Sequence, residues 1–331
     1  MKIAYLITAY DQPEHLHRMV RALYCDGVSF FIHIDNKIDL STFSPEVLEK
    51  EDVCFLQKRV DVRWMGFSQV ESILMLMREA SRQRFDYCVL LSGSDYPIKP
   101  NSELKKFFAV SSKEFIVFWR LEDRPSWRHK IEYFYPIDLI PIYGHSKGVE
   151  NNYWRRLFWG RFFKYRRLMP KRNYVPGMVP YGGSDWWSLS YECVAYVLRF
   201  VEENPDFVRF YRYTHCPSEM FFQTIILNSR FAKQVQNFDA YMEWTRKTSD
   251  EDKLKEESML PEESFNLRYI DWNRGRELPS ILDERDWHNI SNSSNLFARK
   301  FDPVRSARLL DRIDQELLGR SSWRDTPKKI A

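Results

Sequence analysis

Glycine is scarce, 11 in 331 residues, which excludes collagen-like and glycine-rich linker architectures. Cysteine is scarce as well: Cys25, Cys54, Cys88, Cys193 and Cys216 are odd in number, far apart and form no C-x-x-C pair. That pattern argues against zinc or dithiol chemistry and for buried thiols in a reducing compartment. No run of 18 apolar residues occurs, and the opening apolar stretch through Ile7 is too short for a signal peptide or a spanning helix. A soluble intracellular protein is expected, or one attached peripherally to a membrane. Charge of one sign is not in excess: 50 Lys and Arg against 46 Asp and Glu leave +4, too little by itself to argue for nucleic acid or anionic lipid. Two phosphate cradles are missing, G-x-G-x-x-G after a strand and G-x-x-x-x-G-K-[ST], so dinucleotide enzymes and P-loop NTPases are disfavoured. H-E-x-x-H and G-x-S-x-G are absent too, which disfavours zincins and ordinary hydrolases.

Aromatic residues are abundant, 24 Phe, 18 Tyr and 11 Trp, and 44% of the chain is hydrophobic, enough for a large core. Over the first 120 residues short apolar runs alternate with helical patterns, the mark of an α/β fold with a largely parallel sheet. The runs at 3–8, 29–34, 53–56, 87–91 and 114–119 are predicted strands. Asp11 and Glu14 around Pro13 predict a capping box before a helix with Leu16, Met19, Val20 and Leu23 on one face. Ser68 and Glu71 predict a second box before Val70, Ile73, Leu74 and Met77. Residues 121–180 lose this regularity and read as loops or an insertion. Regularity returns with a strand at 186–190, helices at 191–201 and from Ser218, a strand at 267–272 and a final helix at 304–318. One domain over 1–331 is expected: a βαβ half at 1–120, the insertion at 121–180, and a second half at 181–320.

In an open α/β sheet, ligands bind beyond the carboxyl ends of the strands, so Tyr10, Asp35 and Asp95 are candidates by position. Asp35 reads either as an acceptor for a ribose or base or as a turn residue, and Asp95 either as a site carboxylate or as a turn residue before Tyr96-Pro97. Glu219 opens a predicted helix after Pro217-Ser218, where a carboxylate either complements the helix dipole or serves as a general base among aromatic neighbours. Arg299 and Lys300, two cations between aromatic anchors, and Arg268 are either loop cations able to clamp a diphosphate or solvated surface charges. Asp250-Glu251-Asp252 spells D-x-D, yet it sits in a charged stretch that reads as a solvated loop. Residues 153–172 interleave eight Lys or Arg with seven aromatics. Trp154, Phe158 and Phe162 there share one helical face, which suits packing on the body first, a membrane surface second and single-stranded nucleic acid third.

Seven segments in order carry a resemblance. They are Tyr5-Leu6-Ile7-Thr8-Ala9-Tyr10 through Pro13, Phe31-Ile32-His33-Ile34-Asp35-Asn36-Lys37, Val62-Arg63-Trp64-Met65-Gly66-Phe67-Ser68, and Leu91-Ser92-Gly93-Ser94-Asp95-Tyr96-Pro97-Ile98. The others are Gly182-Gly183-Ser184-Asp185-Trp186-Trp187-Ser188-Leu189-Ser190, Pro217-Ser218-Glu219-Met220-Phe221-Phe222-Gln223-Thr224 and Leu296-Phe297-Ala298-Arg299-Lys300-Phe301-Asp302. Together they resemble the core-2/I-branching β-1,6-N-acetylglucosaminyltransferase family, glycosyltransferase family 14, which also holds the peptide O-xylosyltransferases. The resemblance implies a GT-A-like fold and an inverting transfer from a UDP-sugar, UDP-N-acetylglucosamine first and UDP-xylose second, with no cofactor and neither a D-x-D motif nor a metal. It implies Glu219 as catalytic base, Arg268 and Lys300 on the diphosphate, Asp35 and Tyr10 near the nucleoside, and Trp64, Asp95, Ser184, Asp185 and Trp186 in the donor or acceptor pocket. Tyr10 replaces the family's usual His and Met65 interrupts a usual Trp-Gly pair, so the nucleoside pocket is expected to differ. The layout resembles a compact bacterial member on the cytoplasmic face of the membrane, with a glycan or lipid-linked saccharide acceptor, membrane contact through 153–172 and no nucleic acid. A non-catalytic glycan- or membrane-binding protein of the same fold is the alternative.

Overall fold

The computed structural model describes residues 1–43, 48, 50–140, 153–248, 263–274 and 279–320. The continuous apolar runs form the sheet's centre because both of their faces are covered. Strands β1 (Ile3–Ala9), β2 (Val28–Ile34), β3 (Val53–Phe55) and β4 (Tyr87–Ser92) run parallel in the order β3-β2-β1-β4. Alternate residues of β1 feed two cores. Tyr5 and Ile7 pack with Leu16, Met19 and Val20 of α1 (Pro13–Leu23), while Ala4 and Leu6 pack with Val70, Leu74 and Met77 of α2 (Ser68–Ala80). Sequence order reverses between β1 and β4, which makes their carboxyl ends the crevice of this sheet.

Both expected capping boxes are corrected. Gln12 occupies the cap of α1 at φ 57° without a side-chain cap bond, leaving Pro13 to start the helix. The Ser68 hydroxyl accepts from the Arg63 amide at 2.7 Å and donates to Asp138 at 2.6 Å, so it serves the loop before α2 instead. The expected strand at 114–119 is also corrected, because it divides. Phe115–Ile116 (β6) pairs antiparallel with β9 (Trp187–Ser190), itself antiparallel to β4, whereas Trp119–Arg120 (β7) pairs with β8 (Tyr181–Gly182) in a separate ribbon. Gly183 crosses so close to this segment that a Cβ there would lie 1.8 Å from the Val117 carbonyl oxygen, and the ladder breaks at that crossing.

A second sheet completes the crevice. β5 (Tyr96–Pro97) pairs antiparallel with β11 (Phe297–Arg299), which runs parallel to β10 (Arg268–Ile270), so the last third of the chain returns to the end of β4. The other expected elements appear as α6 (Tyr191–Glu203), capped by Ser190, α8 (Phe221–Leu227), and a terminal helix Ala307–Arg312 that widens into a π turn over Ile313–Leu317. Between them lie α3 (Asn101–Val110), α4 (His129–Glu132), α5 (Tyr153–Tyr165) and α7 (Pro205–Tyr211). The face expected to pack from α5 is corrected as well. Trp159 and Phe162 bury against Tyr133, Tyr135 and Ile137, whereas Trp154 is 74% exposed and Phe158 is exposed, because the Trp159–Phe162 pair is the one facing Tyr135. All five cysteines are free; Cys88, Cys193 and Cys216 are buried, Cys25 and Cys54 half-buried. No helix among the described residues is long and apolar enough to cross a membrane. Asp250, Glu251 and Asp252 lie outside the described residues.

Candidate active site

The strand ends supply the first part of the site. After β4 the chain turns sharply past β1, and Gly93 is needed there because a Cβ would come within 2.9 Å of the Ala9 Cβ. The turn is fastened by Asp95, whose Oδ2 accepts from the Ser92 amide at 2.6 Å and the Ser92 hydroxyl at 2.5 Å. Its fully buried Oδ1 has no hydrogen-bond partner but faces Arg268 Nε at 3.6 Å and Arg299 Nε at 3.9 Å. Asp35 ends β2 as a buried carboxylate held by Lys37, with Lys37 Nζ at 2.5 Å from Oδ2 and the Lys37 amide at 3.0 Å from Oδ1. Beside it His33 Nε2 accepts from the Val60 amide at 2.9 Å, and burial pushes this imidazole down to about 4.

The second sheet brings the cations. Arg268 is wholly buried, donating to the Asn266 carbonyl at 2.6 Å and to the Leu90 carbonyl, and burial pushes its guanidinium down to about 10 against the pull of Asp95. Arg299 is more open and lies 4.1 Å from the ring of Trp186. It also acts electrostatically on Tyr10 and on Asp185. Lys300 follows it, half-buried, its carbonyl accepting from the Leu282 amide at 2.9 Å.

The carboxylates most suited to chemistry come from turns. Gly183 donates its amide to the Glu219 carbonyl at 2.8 Å, which places Ser184, Asp185 and Trp186 beside the turn Pro217–Glu219. Ser184 is held from both ends, its carbonyl by Gln223 at 2.8 Å and its hydroxyl by Asn266 at 3.3 Å. Glu219 Oε2 accepts from Lys130 Nζ at 2.6 Å, and that ammonium also sits 3.3 Å from the ring centre of Trp127. Asp185 Oδ1 is closed off from solvent and has no hydrogen-bond partner. Burial raises the Asp185 carboxyl, while Ser218, Arg299 and Lys130 act to lower it. The loop bearing Trp64 joins from the α2 side, since the Cys216 amide donates to the Met65 carbonyl at 3.0 Å.

The fold thus gathers Tyr10, Asp95, Ser184, Asp185, Trp186, Glu219 and Arg268 around one crevice, with Asp35 and Trp64 along its β2 and α2 margins, while Lys300 is placed only by following Arg299 at the end of β11. Arg268 differs from its expected setting: it is enclosed and committed to two carbonyls, so Arg299 presents the more accessible guanidinium. Lys130 was not singled out from sequence, and the resemblance assigned Lys300 rather than Arg299 to the diphosphate. Lys130 lies in the irregular 121–180 segment, where no local pattern marks it. Among the described residues no three His, Cys, Asp or Glu side chains cluster in a way that would hold a metal ion.

A crevice at the carboxyl edge of a mostly parallel sheet, lined by paired carboxylates and cations, defines an α/β protein of the GT-A-like glycosyltransferase type. The family model described as Branch: Core-2/I-Branching enzyme matches residues 3–294, and the chain belongs to that family. Among curated proteins it is similar to Xylosyltransferase oxt of Drosophila melanogaster, 24% identical over 331 residues, covering 96% of this chain and 34% of the relative. It is 25% identical over 334 residues to Xylosyltransferase 2 of Homo sapiens, with 96% and 34% covered, and 24% identical over 331 residues to Xylosyltransferase 1 of Rattus norvegicus, with 96% and 36% covered. The chain spans about a third of the length of these relatives.

Proposed function

We propose that the protein transfers a sugar from a UDP-sugar to a hydroxyl of a glycan or lipid-linked saccharide, with inversion and without a metal ion. The observation that carries this reading is the convergence of Glu219, held by Lys130 at 2.6 Å, with Asp185, on which Lys130 and Arg299 both act. In the reaction the acceptor hydroxyl oxygen bonds to C1 of the donor sugar as the bond from C1 to the UDP oxygen breaks. Glu219 takes the hydroxyl proton, and Arg299 and Lys300, backed by buried Arg268, stabilise the charge left on the diphosphate. Removing one such stabiliser costs about 2.7–4 kcal/mol in the transition state. Asp35 and Tyr10 flank the nucleoside end, and Trp186 and Trp64 wall the sugar.

One observation favours a second assignment of the base. Asp185 sits in the same crevice with an unpartnered buried oxygen and a carboxyl raised by burial, the state that suits a base near neutral pH better than an ordinary carboxylate does. UDP-N-acetylglucosamine is the proposed donor; the names of the relatives favour UDP-xylose as its rival. The exposed Trp154 edge of α5, with Arg156 and Arg161 also exposed, supports peripheral contact with an anionic cytoplasmic membrane face.

Calorimetry with UDP, UDP-N-acetylglucosamine and UDP-xylose in EDTA, on wild type and Lys300→Ala, tests this reading. Binding that weakens in the variant supports it and ranks the donors. Binding that returns only with manganese contradicts the metal-free form, and no binding under either condition contradicts donor use altogether.

A further inference from the structure

Apart from the crevice, the fold has a cleft of about 340 Å³, within the usual size range of small-ligand sites. Its walls come only from residues 120–132 and 172–180, and none from β1, β2, β4 or the second sheet, where the cations for the donor diphosphate lie. It adjoins the catalytic carboxylates along two short paths. Ile131 and Glu132 line it while Lys130, their neighbour on α4, pairs with Glu219; Pro180 lines it three residues before Gly183, which binds the Glu219 carbonyl.

The charge of this cleft is unbalanced in one direction. Its two carboxylates are already engaged, Glu122 by Arg120 at 2.9 Å and Glu132 by Lys171 at 3.0 Å. Two guanidiniums have no carboxylate partner among the described residues. Arg172 is half-buried between the rings of Phe134 and Phe210, its N–H groups donating to the Tyr213 and Phe210 carbonyls. Arg128 is exposed at the rim and pairs with none of the described residues. Arg172 therefore contributes fixed charge and Arg128 contributes free donors, while Tyr174, its hydroxyl 2.9 Å from that of Tyr211, offers a rigid aromatic wall of the kind a sugar ring packs against.

We infer that this cleft is an acceptor subsite that binds an anionic group, a carboxylate or a phosphate, on a saccharide residue remote from the accepting hydroxyl. The inference rests on the transferase reading and deepens it, because it assigns a charge class to the acceptor. Its test uses the full chain and three tetrasaccharides of similar length: neutral chitotetraose, tetragalacturonate and a mannotetraose carrying one phosphate. Titrations followed by NMR or calorimetry are expected to show an anionic tetrasaccharide binding about tenfold tighter than the neutral one. Which of the two does so separates carboxylate from phosphate recognition. Arg128→Glu should abolish that preference and Arg128→Lys should retain most of it, with UDP affinity unchanged in both, since the Arg128 side chain is exposed and its contacts to α4 run through its backbone. Equal binding of neutral and anionic tetrasaccharides, or a preference that survives Arg128→Glu, would overturn the proposal. Absence of UDP binding in wild type would instead strike the transferase reading, and the Arg128 result would still decide the cleft.

Discussion

Asp35 and Asp95 end strands, whereas Asp185 and Glu219 sit on turns, and the two pairs differ in where their hydrogen-bond partners and charges come from. Asp35 is bound by Lys37 and Asp95 by Ser92, partners two and three residues away, and only the second oxygen of Asp95 faces distant cations, Arg268 and Arg299, beyond hydrogen-bond distance. Glu219 is bound by Lys130, 89 residues away, and Asp185 is influenced by Lys130 and Arg299, which come from opposite parts of the chain. Local partners fix a carboxylate as soon as the strand end forms. Distant partners fix it only when the whole crevice has assembled, which allows burial and cations to tune its basicity. On the proposed function, the strand-end half serves as a platform and the turn-borne half sets the reactivity.

The largest effect that would sharpen this contrast is structural. Gly183→Ala places a Cβ 1.8 Å from the Val117 carbonyl oxygen, where backbone must move, and a loss of more than about 4 kcal/mol is expected in urea denaturation. Gly93→Ala meets only the Ala9 methyl at 2.9 Å and should cost about 1–3 kcal/mol. Equal losses would mean that the turn-borne half depends no more on close crossing than the platform does.

Next come the chemical substitutions. Glu219→Gln should lower turnover ~10²–10⁴-fold with UDP affinity kept, while Asp35→Asn should change UDP affinity more than turnover. A variant pattern in the reverse sense breaks the comparison. Arg299→Ala should slow turnover about 10²–10³-fold. Because Arg299 lowers the Asp185 carboxyl, its removal raises that group further, and if Asp185 is the base the acid limb of kcat/KM moves to higher pH. An acid limb that stays in place would assign the base to Glu219.

The smallest effect concerns the platform's response to acid. His15 is buried with Nε2 3.0 Å from the Asp95 carbonyl oxygen, and burial pushes it down to about 4 from 6.5. Below pH 6.5 the unfolded chain takes up a proton that the folded chain refuses until about pH 4, so stability falls as pH drops through that window. His33 behaves alike, also pushed down to about 4. Thermal unfolding of wild type against His15→Gln should show the variant losing less stability between pH 6.5 and 4; parallel losses would contradict it.

The platform was legible because its signals are local. Runs such as Ile3–Ala9 and Val28–Ile34 are apolar on both faces, and a parallel strand buried on both faces has to look that way. The same locality misled where tertiary contacts intervened: Ser68 spends its hydroxyl on Asp138 instead of a cap, and Gly183 divides the strand at 114–119. Site candidates at strand ends and in the motifs could be named from position alone, whereas the enclosure of Arg268 and the pairing of Lys130 depend on residues far away in sequence. No periodicity encodes an ion pair across 89 residues.

The most direct test of the central claim is UDP release from UDP-N-acetylglucosamine and UDP-xylose in EDTA, with water or saccharide as acceptor, by wild type, Glu219→Gln and Asp185→Asn. Release by wild type that falls at least about a hundredfold in one of the two variants, with UDP still bound, is the expected result. Release that proceeds equally in all three proteins would show that the turn-borne carboxylates do not carry the chemistry.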